Sequence, residues 1–138
     1  MFFTKKKDEN IKNDLAKVAA LLIYAAKIDE NFTEQEEKII KQTLLKIDEN
    51  NLNIEDIFKK GKVIEEDSNQ ILDFTKEVKN MDEQNKIEII ETLWRIIYSN
   101  KEADIYETNL MRRLGGLLYI DHKIMGDIKQ KIKKENSK

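Results

Sequence analysis

The sequence of 138 residues contains no cysteine, no proline and only 4 glycines. Without cysteine, neither a disulfide-stapled fold nor a thiolate metal centre can form. Without proline and with so little glycine, the chain lacks the turn residues that a β-sandwich or β-barrel needs at its many hairpins. Alanine, leucine, lysine, glutamate and glutamine fill the segments between the breaks and favour helix. We therefore predict an all-α protein, whose length suits a single domain over residues 1–138.

Long apolar runs and an excess of one charge are also missing. No stretch of about 18 apolar residues occurs, so no membrane span is predicted. The start, with Lys5–Lys7 placed after the apolar residues, does not match a secretory signal, and we expect a cytoplasmic protein. With 25 basic and 27 acidic residues the net charge is −2, which disfavours a nucleic-acid partner. Because basic residues gather at both ends, contact with an anionic membrane surface stays open as an alternative.

Residues for catalysis are scarce. His122 is the only histidine, which excludes a His-rich zinc centre and the paired Glu-x-x-His motifs of a di-iron bundle. No serine stands in a pattern that pairs it with a base, so the sequence predicts no catalytic and no cofactor-binding residue. Trp94 lies at helical spacing among isoleucine and leucine, and we predict that it belongs to the core. Arg95, Arg112 and Arg113 suit carboxylate or phosphate partners, and pairing with the acidic turns is the favoured interpretation.

Apolar residues recur at helical spacing in seven segments. These segments start near Asp8, Thr33, Asn53, Ser68, Asp82, Asp104 and Asp121. The core is expected over about residues 10–132, with basic ends that fray from Lys133 onward, and the helix that carries Trp94 is the predicted central helix. The pair Gly115–Gly116 falls inside the sixth segment. Either a neighbouring helix approaches closely there, or the helix ends and residues 117–119 form a buried connector.

Two of the segments open with a capping box. The Thr33 hydroxyl is placed to accept the Glu36 N–H while the Glu36 carboxylate returns to the Thr33 N–H, and Asp104 and Glu107 stand in the same relation. Sliding the chain by 71 residues lays Thr33 on Asp104 and Glu36 on Glu107. Each half therefore predicts a helical hairpin with an acidic turn, and the two similar hairpins imply an internal repeat.

The two hairpin sequences resemble the TerB-like family, which is named for a bacterial tellurite-resistance protein and includes the amino-terminal domain of the co-chaperone DjlA. The residues that carry the resemblance are Leu21–Glu36, Leu93–Tyr98, Glu102–Glu107 and Leu110–Arg113. The resemblance implies a compact bundle of about seven helices with an internal pseudo-twofold repeat. It also implies a non-enzymatic binding or adaptor module with a protein partner, in stress or envelope-associated processes.

Acidic turn residues of this family have been proposed to bind a divalent metal. The candidate ligands in this chain are Asp29 and Glu36 in the first turn and Asp104 and Glu107 in the second, where Asn100 replaces the aspartate of the family pattern. Their carboxylates are ligands that suit Ca²⁺ or Mg²⁺. Helix capping explains Glu36 and Glu107 as well, because both stand at the third position of a predicted helix, where a carboxylate meets the positive end of the helix dipole.

Two alternatives of other classes remain open. A metal-dependent carboxylate enzyme would use the same four acidic residues, and it requires them to converge on ions about 4 Å apart. A membrane-surface adaptor would use Lys5–Lys7 and the basic tail. The oligomeric state is left open by the sequence.

Overall fold

The structure of the chain is a computed structural model that describes residues 15–28, 32–48, 53–68, 72–99 and 105–136. Within these ranges α-helix is the regular secondary structure, and no strand occurs in them. The predicted all-α fold class is therefore confirmed.

Seven helices follow one another in the described part of the chain. The first, α1, is helical over residues 15–26. The others are α2 (Glu34–Ile47), α3 (Ile54–Asp67), α4 (Leu72–Lys79), α5 (Glu83–Tyr98), α6 (Ile105–Leu117) and α7 (His122–Asn136).

Most of the predicted helix starts agree with the structure. Asn53 and Asp82 occupy the N-cap positions of α3 and α5, although neither side chain makes a capping hydrogen bond. Asp121 does cap α7, because its Oδ1 accepts the Lys123 N–H at 2.7 Å. Ser68, the expected start of the fourth helix, instead ends α3, where its N–H donates to the Glu65 carbonyl. The starts predicted near Asp8 and Asp104 lie outside the described residues.

Helix α1 is the most completely enclosed element of the described chain. Apart from Lys17 and Tyr24, every residue over 15–26 is buried, which agrees with an apolar pattern wider than one helix face. Helix α3 crosses this surface at Gly61. A Cβ placed on Gly61 would lie 2.6 Å from the Ala19 Cβ and 3.1 Å from the Ala16 carbonyl oxygen. The contact between α1 and α3 therefore depends on the missing side chain.

Helix α5, the predicted central helix, contacts both α2 and α7. Its buried side chains include Leu93 and Trp94, so the core prediction for Trp94 is confirmed. At the contact with α2, the Thr43 and Thr92 hydroxyls lie 2.6 Å apart, and the Thr92 hydroxyl also donates to its own helix at the Glu88 carbonyl. Since a hydroxyl has one proton, Thr43 is the donor in the bond between the helices.

The glycine pair lies inside α6, and the alternative of an early helix end is wrong. A Cβ on Gly115 would lie 3.2 Å from the Met125 Cγ, so close approach of α7 accounts for this glycine, whereas nothing lies within 4 Å of a Cβ on Gly116. The helix ends at Leu117, and Tyr119 follows with a φ of 56°. The Ile120 N–H then bonds to the Gly115 carbonyl at 2.9 Å, which closes a Schellman motif.

Helix α7 is helical through Asn136, and the fraying of its basic end from Lys133 onward stays a prediction. Two contacts hold its last turns. Ile132 is fully buried, and the Arg95 Nε donates to the Glu135 carboxylate at 3.3 Å, which ties the last turn of α7 to α5.

Candidate functional site

The start of α2 is capped by Glu36 together with Thr33. The Glu36 Oε1 accepts the Thr33 N–H at 2.8 Å and the Thr33 hydroxyl at 3.0 Å, and the Thr33 Oγ1 accepts the Glu36 N–H at 3.1 Å. The carboxylate is 1% exposed. These bonds satisfy backbone donors that a helix start leaves open, and they confirm the predicted capping box.

Glu107 occupies the equivalent place in the second half. It is the third residue of α6 and is 6% exposed, so the 71-residue shift pairs two buried carboxylates at the same helix position. Asp104, the predicted partner of Glu107 in its box, lies outside the described residues. The second capping box therefore stays a prediction.

The four predicted metal ligands are only partly described. Glu36 and Glu107 are placed, whereas Asp29 and Asp104 lie outside the described ranges. Among the residues that the structure describes, no group of three or more histidine, cysteine, aspartate or glutamate side chains is arranged to hold a metal ion. The cation site, and the convergence that an enzyme would need, stay predictions.

A cavity that sequence reasoning missed lies among α5, α6 and α7. Its volume is about 170 Å³. It is lined by Trp94, Thr108, Met111, Arg112, Gly115, His122, Met125, Gly126 and Lys129. No carboxylate is among these residues, and Arg112 and Lys129 make no ion pair with any acidic side chain that the structure describes. The cavity wall therefore combines apolar surface with positive charge.

The indole of Trp94 is the α5 wall of this cavity. It stacks on Tyr98 with ring centroids 5.7 Å apart, and the Lys129 Nζ lies 5.4 Å from the indole ring. Trp94 is 3% exposed, and its Nε1 is buried without a hydrogen-bond partner among the described residues. An unpaired buried donor is uncommon in folded proteins and calls for a specific explanation.

The family match accords with this architecture. The family model described as "Tellurite resistance protein TerB" matches residues 15–130. This chain belongs to the TerB family. No curated protein and no solved structure matches the chain significantly. The resemblance that the hairpin residues predicted is therefore confirmed for most of the chain.

In this TerB-family chain the described partners of Arg95 lie on helices. Arg95 contacts Glu91 on α5 at 3.4 Å and Glu135 on α7 at 3.3 Å. Arg112 and Arg113 are both exposed, and Arg112 also lines the cavity. The acidic turns over residues 29–31 and 100–104 lie outside the described residues, so pairing of the arginines with them stays a prediction.

Other surfaces of the TerB fold are defined by exposed apolar side chains. Ile105 and Tyr106, at the start of α6, are 69% and 73% exposed, and Tyr119, beyond its end, is 71% exposed. The Lys79 Nζ lies 4.8 Å from the Tyr119 ring, beside a second cavity of about 360 Å³ between α4 and α6.

No helix in the described part of the chain is both long and apolar enough to cross a membrane. Lys5–Lys7, the residues of the membrane-surface alternative, lie outside that part.

Proposed function

We propose that this TerB-family chain is a non-enzymatic binding module that works in the cytoplasm through a protein partner, in stress or envelope-associated processes. Family membership supports the helical module. The observation that carries the binding role is the neighbouring pair Ile105 and Tyr106, whose large apolar side chains are more than two-thirds exposed at the start of α6. Adjacent exposed apolar side chains favour a contact surface over a purely solvated one.

Affinity capture from a lysate of the source organism tests this proposal. The parent protein is compared with the double variant Ile105→Ser, Tyr106→Ser and with the control Val63→Ser, which removes a single apolar side chain that is 56% exposed on α3. We expect a protein retained by the parent and by the control to be lost from the double variant. Identical captured proteins in all three samples would contradict a role for the α6 start.

A weak divalent-cation site in the first acidic turn, at Asp29 and Glu36, is part of the proposal, with Asp104 and Glu107 as the corresponding candidates of the second turn. Its support is the acidic turn sequence of a TerB-family chain, whose carboxylates suit Ca²⁺ or Mg²⁺. The melting temperature of the parent protein is measured with Ca²⁺, with Mg²⁺ and with a chelator. We expect a rise with one of the cations that Glu36→Ala abolishes. The absence of any rise in the parent would remove the cation site and leave the capping box untouched.

A further inference from the structure

The cavity among α5, α6 and α7 is a place where this chain can take a small molecule. We propose that it binds a small organic carboxylate of about six carbon atoms, most of them in an apolar body. The inference rests on the cavity alone and does not depend on the protein partner or on the cation site proposed above.

The volume limits the size of the ligand. At about 170 Å³, the cavity is smaller than the usual site for a drug-sized molecule. An apolar protein cavity of roughly 150 Å³ accommodates a molecule the size of benzene. The cavity therefore suits a ligand of about six carbon atoms, and because it opens to solvent, only one end of a larger molecule could enter it.

The shape of the walls follows from two helix faces with the same spacing. Residues 108, 111, 112 and 115 of α6, and residues 122, 125, 126 and 129 of α7, each follow the three-to-four spacing that places side chains on one face of a helix. Each face contributes one glycine, Gly115 and Gly126. A Cβ on Gly126 would have no neighbour within 4 Å, so open space lies beside α7 at this point.

The charge of the walls selects an anion. Arg112 and Lys129 bring positive charge from two different helices, and neither has an acidic partner among the described residues. An arginine fork matches the geometry of a carboxylate, and the Lys129 ammonium is held near the indole, 5.4 Å from its centre. A carboxylate in this cavity would compensate both cations.

The remaining walls select an apolar body. Met111 is 1% exposed, and the partly buried Met125 lies beside Gly115. The Trp94 indole completes this surface and carries the unpaired Nε1 donor. Because this nitrogen is covered, a ligand reaches it only after neighbouring side chains move aside, and the cavity wall includes the flexible side chains of Met111, Met125 and Lys129. A carboxylate oxygen would then satisfy the donor, which an alcohol does less well and a hydrocarbon cannot do.

The protein supplies its own reporter, because Trp94 is its only tryptophan. Hexanoate is titrated into the parent protein while the fluorescence of this indole is followed, with hexanol and inorganic phosphate as probes that keep only the apolar body or only the charge. We expect a saturable change with hexanoate, and an affinity at least about tenfold weaker for each of the other two probes.

Variants locate the site. Arg112→Gln and Lys129→Gln should each weaken hexanoate binding by about tenfold, the usual scale for loss of one charge-assisted hydrogen bond. Arg113→Gln is the matched control, because Arg113 is the next residue of α6 and is exposed like Arg112, but does not line the cavity. Gly126→Leu should abolish binding by filling the open space. Circular dichroism and the melting temperature establish that each variant is folded.

Several outcomes would overturn the proposal. These are no saturable change with hexanoate, equal affinity for hexanol or phosphate, an effect of Arg113→Gln as large as that of Arg112→Gln, or unchanged binding in a folded Gly126→Leu protein. If Gly126→Leu does not fold, the comparison of Arg112→Gln with Arg113→Gln decides alone. Unchanged hexanoate binding by the Ile105→Ser, Tyr106→Ser variant would separate this site from the proposed partner surface.

Discussion

Two glycine contacts, one in each half of the molecule, differ in what faces the missing side chain. At Gly61 the nearest atoms are the Ala19 Cβ and backbone atoms of α1, at 2.6 to 3.2 Å from a Cβ, and none of them can move without moving the helix. At Gly115 the nearest atoms all belong to the side chain of Met125, at 3.2 to 3.5 Å. The first contact is rigid, whereas the second can yield.

The same difference extends to the helices around each glycine. Over residues 15–26, α1 is buried on nearly every side by small and branched apolar residues. The contact of α5 with α7 carries the charged residues Glu91, Arg95, Lys131 and Glu135 and borders the cavity beside Trp94. A closely packed region mainly supports stability, and a region packed by flexible side chains can admit a ligand. The proposed ligand cavity therefore lies in the half of the molecule whose packing can yield.

The largest expected effect is at the rigid contact. Gly61→Ala should lower the free energy of unfolding by about 2 kcal/mol, because overpacking against immobile atoms costs more than alanine gains in helix propensity. Urea unfolding followed by circular dichroism measures the loss. A variant as stable as the parent would show that α3 can move away from α1, and the rigid description of this contact would be wrong.

The starts of α2 and α6, where Glu36 and Glu107 occupy equivalent helix positions, form the next comparison. Glu36→Ala should cost about 1 kcal/mol, because it removes the acceptor of two bonds from Thr33. Thr33→Ala removes the same box, so the loss in the double variant should be smaller than the sum of the two single losses.

Glu107→Ala tests whether the second corner is equivalent to the first. If the predicted box with Asp104 forms, this variant should lose a similar amount, about 1 kcal/mol. Urea unfolding in the presence of a chelator measures both glutamate variants without a contribution from bound cations. A negligible loss for Glu107→Ala beside a clear loss for Glu36→Ala would break the equivalence of the two hairpins at their corners.

Local features of the fold were predictable from the sequence because their causes are local. The Thr33–Glu36 box, the Asp121 cap and the burial of Trp94 depend on residues within one or two turns of a helix. The family resemblance rests on such features, and it was confirmed over residues 15–130.

Contacts between helices were not predictable in this way. The approach of α3 to α1 at Gly61, the pairing of Arg95 with Glu135 and the cavity all depend on how distant helices cross. The crossing angle and the axial shift of two helices are set by complementary side chains on both, and the apolar period of either helix alone does not specify them. The three-to-four spacing of the cavity-lining residues along α6 and α7 is visible in the sequence. Only the structure shows that these two helix faces line a common cavity.

Alanine in place of either glycine of α6 should raise the free energy of unfolding, whereas alanine at Gly61 should lower it. Gly116→Ala should raise the free energy of unfolding by about 0.5 to 1 kcal/mol, because its Cβ enters open space inside a helix. Gly115→Ala should give a smaller gain, since Met125 must shift by a few tenths of an ångström. Urea unfolding of both variants beside Gly61→Ala tests this order. A loss at Gly115 as large as that at Gly61 would remove the difference between the two halves.

The smallest expected effect concerns the charged contact of α5 with α7. The Glu91 side chain is 12% exposed and pairs with Arg95 at 3.4 Å and Lys131 at 3.0 Å, whereas Glu37 only approaches Lys41, at 3.9 Å. Glu91→Gln should therefore cost about 0.5 to 1 kcal/mol, and the control Glu37→Gln should change stability by less than about 0.5 kcal/mol. Both values are obtained from urea unfolding at low salt and at about 1 M salt, where the Debye length is only about 3 Å. Because Glu91 and Arg95 are mostly shielded from solvent, part of the Glu91→Gln loss should persist at high salt. A loss that vanishes completely in salt would mean that this contact is an ordinary surface ion pair, and that α7 is held on α5 by its apolar residues alone.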